Sequence, residues 1–346
     1  MPTKPFDKIE AQVGDTHRTV DGLAVEAGKV EEFARAVGDE NPIHRNEPAA
    51  VERGYETVPA PLTFTRTKYF PRYRPDGIDE RLGFDLGLRF KHIVHGEQEY
   101  EFDRPVYVGD VLSGETTLID VYQREGGRGG TMTFAVYETT YRDRGGDDVL
   151  TERMTRIETG GTIDADDEDA IENTEDDGDS HKGRSSTAVT DEATRDRSID
   201  SPQLTHDSDL PATSADLKVG DHGPKLVADL EREDFVRYAG ASGDFNPIHY
   251  DEPYARARGY PSVFGQGMLT ASYVATVVSN WFGVGAIESF GVRFRDQVWP
   301  GDTVTATGEI TALEDCGASV TADADLAVSN QDDEAVLTGT VTATIT

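Results

Sequence analysis

The chain is 346 residues long, enough for two domains of ordinary size that each bury a core. Asp and Glu outnumber Lys and Arg by 66 to 33, a formal net charge of −33, which argues against nucleic acid or an anionic membrane as partner because both would be repelled. The acids are spread along the whole chain, a surface suited to a salt-rich cytosol that screens charges within a few Å, so the sequence reads as a halophile's cytoplasmic protein.

At the N-terminus there is no apolar signal-like run, and nowhere does a charge-free apolar stretch reach the roughly 18 residues a spanning helix needs. Residues 13–20 read Val-Gly-Asp-Thr-His-Arg-Thr-Val, and a short helix is predicted over 29–37, ending in the turn Gly38-Asp39. A second helix opens on Asn46-Glu47-Pro48 and closes at Gly54. The stretch after it carries Ala60-Pro61-Leu62, and Pro71 and Pro75 would end any central helix early. Alternating or β-branched runs at 97–102, 111–121, 131–141 and 151–158 read as strands.

Residues 161–215 change character. Acids from Asp164 to Asp179 give way to Ser, Thr and Arg with almost no large apolar side chain, too little apolar surface to offset chain entropy. This segment is expected to be a disordered tether that keeps its flanks at high effective concentration.

The order of the first 160 residues then repeats. Val219-Gly-Asp221 matches Val13-Gly-Asp15, and a helix is predicted over 232–241. Asp244, His249 and Gly259 follow Asp39, His44 and Gly54 at one constant offset of 205. Asp251-Glu252-Pro253 opens the next short helix. A longer helix follows in which Met268, Leu269, Ala271, Val274, Ala275, Val278 and Trp281 recur at helical spacing and cover most of its circumference, so it should be buried on nearly all sides. Strands are predicted at 291–295, 302–313, 318–328 and 335–345. A long helix followed by an antiparallel meander is an α+β arrangement in which the sheet wraps the helix. Cys316 is the single cysteine, in the turn-like Glu314-Asp315-Cys316-Gly317; it excludes an intrachain disulfide and reads as a passive thiol, with no cysteine metal site.

Chemistry is concentrated in Ser242-Gly243-Asp244-Phe245-Asn246-Pro247-Ile248-His249. Gly243 frees the backbone to turn, Pro247 pushes Asn246 out of helical geometry, and Asp244 and His249 are held at a fixed spacing. A carboxylate and an imidazole so placed can take and return a proton of a water molecule near neutral pH. A bland alternative remains at this level: a helix-capping aspartate and a satisfied core histidine. Phe264-Gly265-Gln266-Gly267-Met268 opens the buried helix, where unpaired N–H groups and partial positive charge can stabilise an enolate-like oxyanion, and Gly267 has no side chain to obstruct its amide. A glycine kept only for close packing is the alternative there.

The Gly-Asp-x-Asn-Pro-Ile-His string with its following helix resembles the signature of the MaoC-like (R)-specific enoyl-CoA hydratase and (3R)-hydroxyacyl dehydratase family, and the resemblance covers nearly all of both repeats. It implies a double hot-dog, two α+β domains paired through their sheets into an intrachain pseudo-dimer, possibly assembled further into a homo-oligomer. The domains would be 1–160, non-catalytic and accommodating the acyl chain, and 216–346, catalytic, with 161–215 between them. The resemblance implies reversible hydration of trans-2-enoyl thioesters, CoA thioesters first among them, to (3R)-3-hydroxyacyl thioesters. Asp244, His249 and Gly267 would be catalytic, Asn246, Gln266 and Met268 would contact substrate, and no metal or other cofactor is implied. Three other readings stay open: a hydratase for a short branched dicarboxylic acyl-CoA such as mesaconyl-CoA, an acyl-CoA thioesterase, and a non-catalytic acyl-carrier-binding protein.

Two departures from the family pattern matter. In the first repeat Pro61 falls at or near the position of Gly267, and proline has no N–H to offer an oxyanion, so that site is expected to be defective. The family's supporting serine two turns into the central helix aligns with Ala275, with Ser272 one turn earlier. Arg256, Arg258, Arg293 and Arg295 stand out as local positive charge for coenzyme A phosphates, although solvated surface arginines are the simpler reading.

Overall fold

The computed structural model describes residues 2–79, 81–89, 92–125, 130–159, 202–205, 211–214 and 217–345. Most of the expected tether therefore lies outside the described residues. The part of it that is described is not featureless: Gln203–Thr205 is a strand, and the Ala212 amide donates to the Trp281 carbonyl at 2.8 Å.

Each half supplies five long or medium strands. In the first these are β1 (Thr16–Ala24), β2 (Ile93–Phe102), β3 (Val111–Glu125), β4 (Thr131–Arg142) and β5 (Asp148–Glu158). After the short β6 (Gln203–Thr205), the second half contributes β7 (Lys225–Asp229), β8 (Ile287–Phe294), β9 (Thr303–Asp315), β10 (Val320–Ser329) and β11 (Ala335–Ile345). They form one antiparallel sheet in the order β1-β3-β4-β5-β2-β8-β11-β10-β9-β7-β6. The two halves of that order mirror each other, and the seam between them is the pairing of β2 with β8, with Tyr100 opposite Phe290 and Glu97 opposite Arg293. Tyr100 stacks on Phe290 with ring centroids 6.2 Å apart, and Arg293 forms an ion pair with Glu97.

The helices are α1 (Phe6–Glu10), α2 (Ala27–Ala36), α3 (Glu47–Glu52), α4 (Arg232–Ser242), α5 (Glu252–Ala257) and α6 (Gly267–Phe282). Asn46 and Asp251 cap α3 and α5 by accepting from the Ala49 and Tyr254 amides, and Gly54 and Gly259 stop them. Every residue of α6 except Gly267 and Asn280 is buried. Two of its buried hydroxyls bond within the helix: Thr270 donates to the Gly267 carbonyl and Ser272 to the Met268 carbonyl, both at 2.7 Å.

Among the described residues the first half has no counterpart to α6. Where a central helix was expected there are two short 3-10 turns, Phe64–Tyr69 and Pro71–Tyr73. Pro61 and Pro71 leave only residues 62–70 between them, and Thr63, Thr65 and Thr67 are poor helix formers in so short a run.

Candidate active site

Helix α4 ends on Gly243, which takes the left-handed conformation at φ +83°, and a Cβ there would stand 2.9 Å from the Phe70 amide nitrogen of the other half. Glycine is required on both counts. The chain then folds back through a series of side-chain-to-backbone bonds. Ser242 Oγ donates to the Tyr238 carbonyl at 2.7 Å and accepts from the Asp244 amide at 3.2 Å. Asp244 Oδ1 accepts from the Asn246 amide at 3.4 Å, and Asn246 Oδ1 accepts from the Ile248 amide at 3.2 Å. Asn246 thus shapes the 3-10 turn Pro247–His249, with its side chain exposed.

His249 is 8% exposed, and its Nδ1 lies 2.8 Å from the Phe264 carbonyl. A carbonyl can only accept, so Nδ1 carries the hydrogen and Nε2 keeps its lone pair. Burial pulls this imidazole below its usual 6.5, against the opposing pull of the nearby Asp244 carboxylate, so it is neutral at pH 7. Asp244 acts on His249 electrostatically but forms no ion pair with it.

Gly267 is the first residue of α6, following Gln266, whose side chain makes no cap bond. Its N–H is therefore one of the helix-terminal donors without an intrahelical partner. A Cβ at Gly267 would come within 3.0 Å of the Phe294 ring, so close packing calls for glycine here. Gln266 is buried and donates from Nε2 to the Phe235 carbonyl at 3.0 Å, tying α6 to α4, and Met268 is buried in the core. Phe264 stands edge-on to His249 at 5.3 Å and to Trp299 at 5.6 Å, making an aromatic wall beside the imidazole.

The equivalent residues of the first half are arranged otherwise. His44 Nδ1 lies 2.8 Å from the Pro59 carbonyl, matching His249, but its Nε2 is 3.1 Å from Asp39 Oδ2, and both side chains are 1% exposed. Asn280 of α6 reaches across to donate to Asp39 Oδ1 at 3.4 Å and accepts from Asn41 Nδ2 at 2.9 Å. Burial works against both charges, yet the pair outweighs it: Asp39 is held below its ordinary range and His44 above 6.5. The water-holding spacing has collapsed into a sealed ion pair.

Ser272 does not reach Asp244. It exchanges a hydrogen bond with Thr63 Oγ1 at 2.8 Å, linking the halves, and Ala275 offers no hydroxyl. The support of the Asp244 turn comes instead from Ser242, a residue that sequence reasoning passed over although it stands two places before the aspartate. The four surface arginines have other occupations: Arg256 pairs with Glu252, Arg258 lies over the Tyr254 ring, Arg293 pairs with Glu97, and Arg295 donates to Thr338. Cys316 is an exposed thiol in the β9–β10 turn, and no group of candidate metal ligands occurs among the described residues. No helix among them is long and apolar enough to cross a membrane.

Two tandem domains of this build, fused through β2 and β8 into one sheet, define a double hot-dog protein. Residues 211–331 match the family model described as MaoC like domain, and residues 11–152 match the FAS1-like dehydratase domain region. A UPF0336 protein of Saccharopolyspora erythraea is 34% identical over 166 residues, 48% of this chain and 99% of the relative. A solved structure described as a MaoC-like dehydratase superposes with a TM-score of 0.74 at 28% identity, covering 98% of this chain and 100% of the other. A Mycobacterium tuberculosis protein described as having a double hotdog fold shares the architecture at 13% identity, with a TM-score of 0.61 and 96% of each chain covered. The chain belongs to the MaoC-like dehydratase family.

Proposed function

We propose that the protein is a hydro-lyase that adds water reversibly to a trans-2-enoyl thioester, giving a (3R)-3-hydroxyacyl thioester, with its chemistry in the C-terminal half. The observation that carries this reading is the neutral His249, fixed through Nδ1 with Nε2 unprotonated and with the Asp244 carboxylate near but unpaired. A water molecule held by those two groups gives a proton to His249 Nε2 as its oxygen bonds to C3. The electron pair of the C2–C3 double bond moves toward the thioester oxygen, which the Gly267 amide at the start of α6 receives. The proton is returned to C2, and no atom is left over.

The first half would be non-catalytic. Its aspartate and histidine neutralise each other, and Pro61 has no N–H to give. Coenzyme A thioesters are the substrates first implied, in a cytoplasmic setting, and asparagine, glutamine and methionine at 246, 266 and 268 support the site more than they touch substrate. Loss of the 2-enoyl absorbance of crotonyl-CoA in high salt, without release of free thiol, is the expected result. Thiol release would instead indicate a thioesterase, and an unchanged spectrum with all enoyl thioesters tried would remove the enzymatic reading.

A further inference from the structure

Helix α4 stops at Ser242, two residues before Asp244. In a helix continued past that point the Asp244 amide would donate to the Gly240 carbonyl, four residues back. Instead that amide turns to Ser242 Oγ at 3.2 Å, and the Gly240 carbonyl accepts from Lys29 Nζ at 3.1 Å, an ammonium carried by α2 of the other half. The Lys29 side chain is only 9% exposed, so its charge needs partners. Besides the carbonyl they are Glu32, at 3.2 Å, and the Phe70 ring, whose centroid lies 4.3 Å from Nζ. A cation at the last carbonyls of a helix also complements the negative end of its dipole. Phe70 in turn packs on Gly243 and meets Phe245 edge-on at 6.3 Å, so the ring beneath the ammonium touches both chain neighbours of Asp244.

The first repeat shows the same helix end without the lysine. Asp234 stands 205 residues after Lys29, and a carboxylate cannot donate to a carbonyl. Asp234 serves its own helix, accepting from the Glu231 amide at 2.8 Å and from Arg237 at 2.7 Å. Val37 stands where the second repeat has Ser242. There the Asp39 amide folds back onto its own helix, donating to the Ala34 carbonyl at 2.9 Å, and the Asp39 carboxylate closes a clasp with His44.

We propose that Lys29 is a positioning residue for Asp244: by holding the Gly240 carbonyl from the other half, it keeps the Asp244 amide on Ser242 Oγ and the carboxylate free to share a water molecule with His249. This rests on the hydration reading above. The N-terminal half thereby acts on the reaction without touching substrate, through an ammonium that ends its neighbour's helix.

The test compares two variants of the full chain in high salt. Lys29→Met keeps a stem over Phe70 and removes the donor. Lys29→Arg keeps a charged donor, and the cleft of about 520 Å³ that Lys29 lines with Phe70, Arg72 and Gly240 has room for the longer side chain. With crotonyl-CoA, Lys29→Met should lower kcat by about tenfold or more and leave KM within about twofold, and Lys29→Arg should retain most of the wild-type rate. Amide hydrogen exchange over residues 238–250 should quicken in Lys29→Met and stay at the wild-type rate in Lys29→Arg. If Lys29→Met does not fold, Phe70→Leu, which removes the ring beneath the ammonium, should give the same split between kcat and KM. An unchanged kcat, unchanged exchange over 238–250, or an equal loss in Lys29→Arg overturns the assignment and leaves the hydratase standing. A wild type that hydrates no enoyl thioester removes the hydration reading, and the exchange comparison still decides whether Lys29 holds the turn.

Discussion

His44 Nε2 and Asp39 Oδ2 stand 3.1 Å apart in a sealed pair, whereas His249 and Asp244, the same residues of the second repeat, form no ion pair. One sequence motif thus forms a buried ion pair in the first repeat and leaves its acid and imidazole unpaired in the second. The consequence is measurable. His249→Ala or Asp244→Asn should lower the hydration rate by about 10²-fold or more with little change in melting temperature. Asp39→Asn should leave a folded protein whose rate is nearly unchanged but whose stability drops by about 3–5 kcal/mol, since it strands one partner of a buried pair. Denaturant melts and initial rates on the same preparations separate the two effects, and an equal loss of rate from Asp39→Asn would overturn the division of labour.

The two histidines should also respond to pH in opposite senses. His249 is held below 6.5 by burial, and its neutral form is the one that accepts a proton. The rate should therefore stay level as pH falls through 6.5 and decline only below it, unlike a free imidazole.

For the clasp, His44 is raised above 6.5, so its contribution to stability is fully present below 6.5 and is lost as pH rises through its folded-state value. Asp39 is depressed below 3.8, so its contribution is present above 3.8 and is lost as pH falls through the lowered value. The stability difference between the wild type and His44→Asn should accordingly be larger at about pH 6 than at about pH 10. Melting curves at the two pH values check this, and a difference that grows with pH would contradict it.

Gly243→Ala should be damaging for a different reason. Left-handed backbone costs a residue with a Cβ about 1–2 kcal/mol, and the added methyl meets the Phe70 amide. Because the same displacement moves Asp244, kcat should fall along with stability, whereas Gly259→Ala, with open space around it at φ +83°, should cost stability alone. Parallel melts and rates for the two alanine variants make the comparison.

Much of this was legible in the sequence because repetition and local rules agreed. The caps Asn46 and Asp251, the stops Gly54 and Gly259, and the all-round apolar helix α6 obey short-range chemistry that can be read residue by residue. Strands β1 and β7 were missed: Thr16–Ala24 carries charges at its exposed edge positions and Lys225–Asp229 is five residues long, so neither shows a clear alternation. At the site, the Asp244–His249 turn was legible, but its support by Ser242 was not, because the family pattern directed attention to the helix beyond. What separates the clasp from the site involves Asn280, distant in sequence, which bonds both Asp39 and Asn41.

The seam between β2 and β8 has one more consequence. In a pair of identical subunits every substitution appears twice, so a change that suits one face must be tolerated by its twin. Because here the partner strand arrives on the same polypeptide, the two faces are free to diverge, and a proline at 61 can be gained on one side without cost to the glycine at 267 on the other.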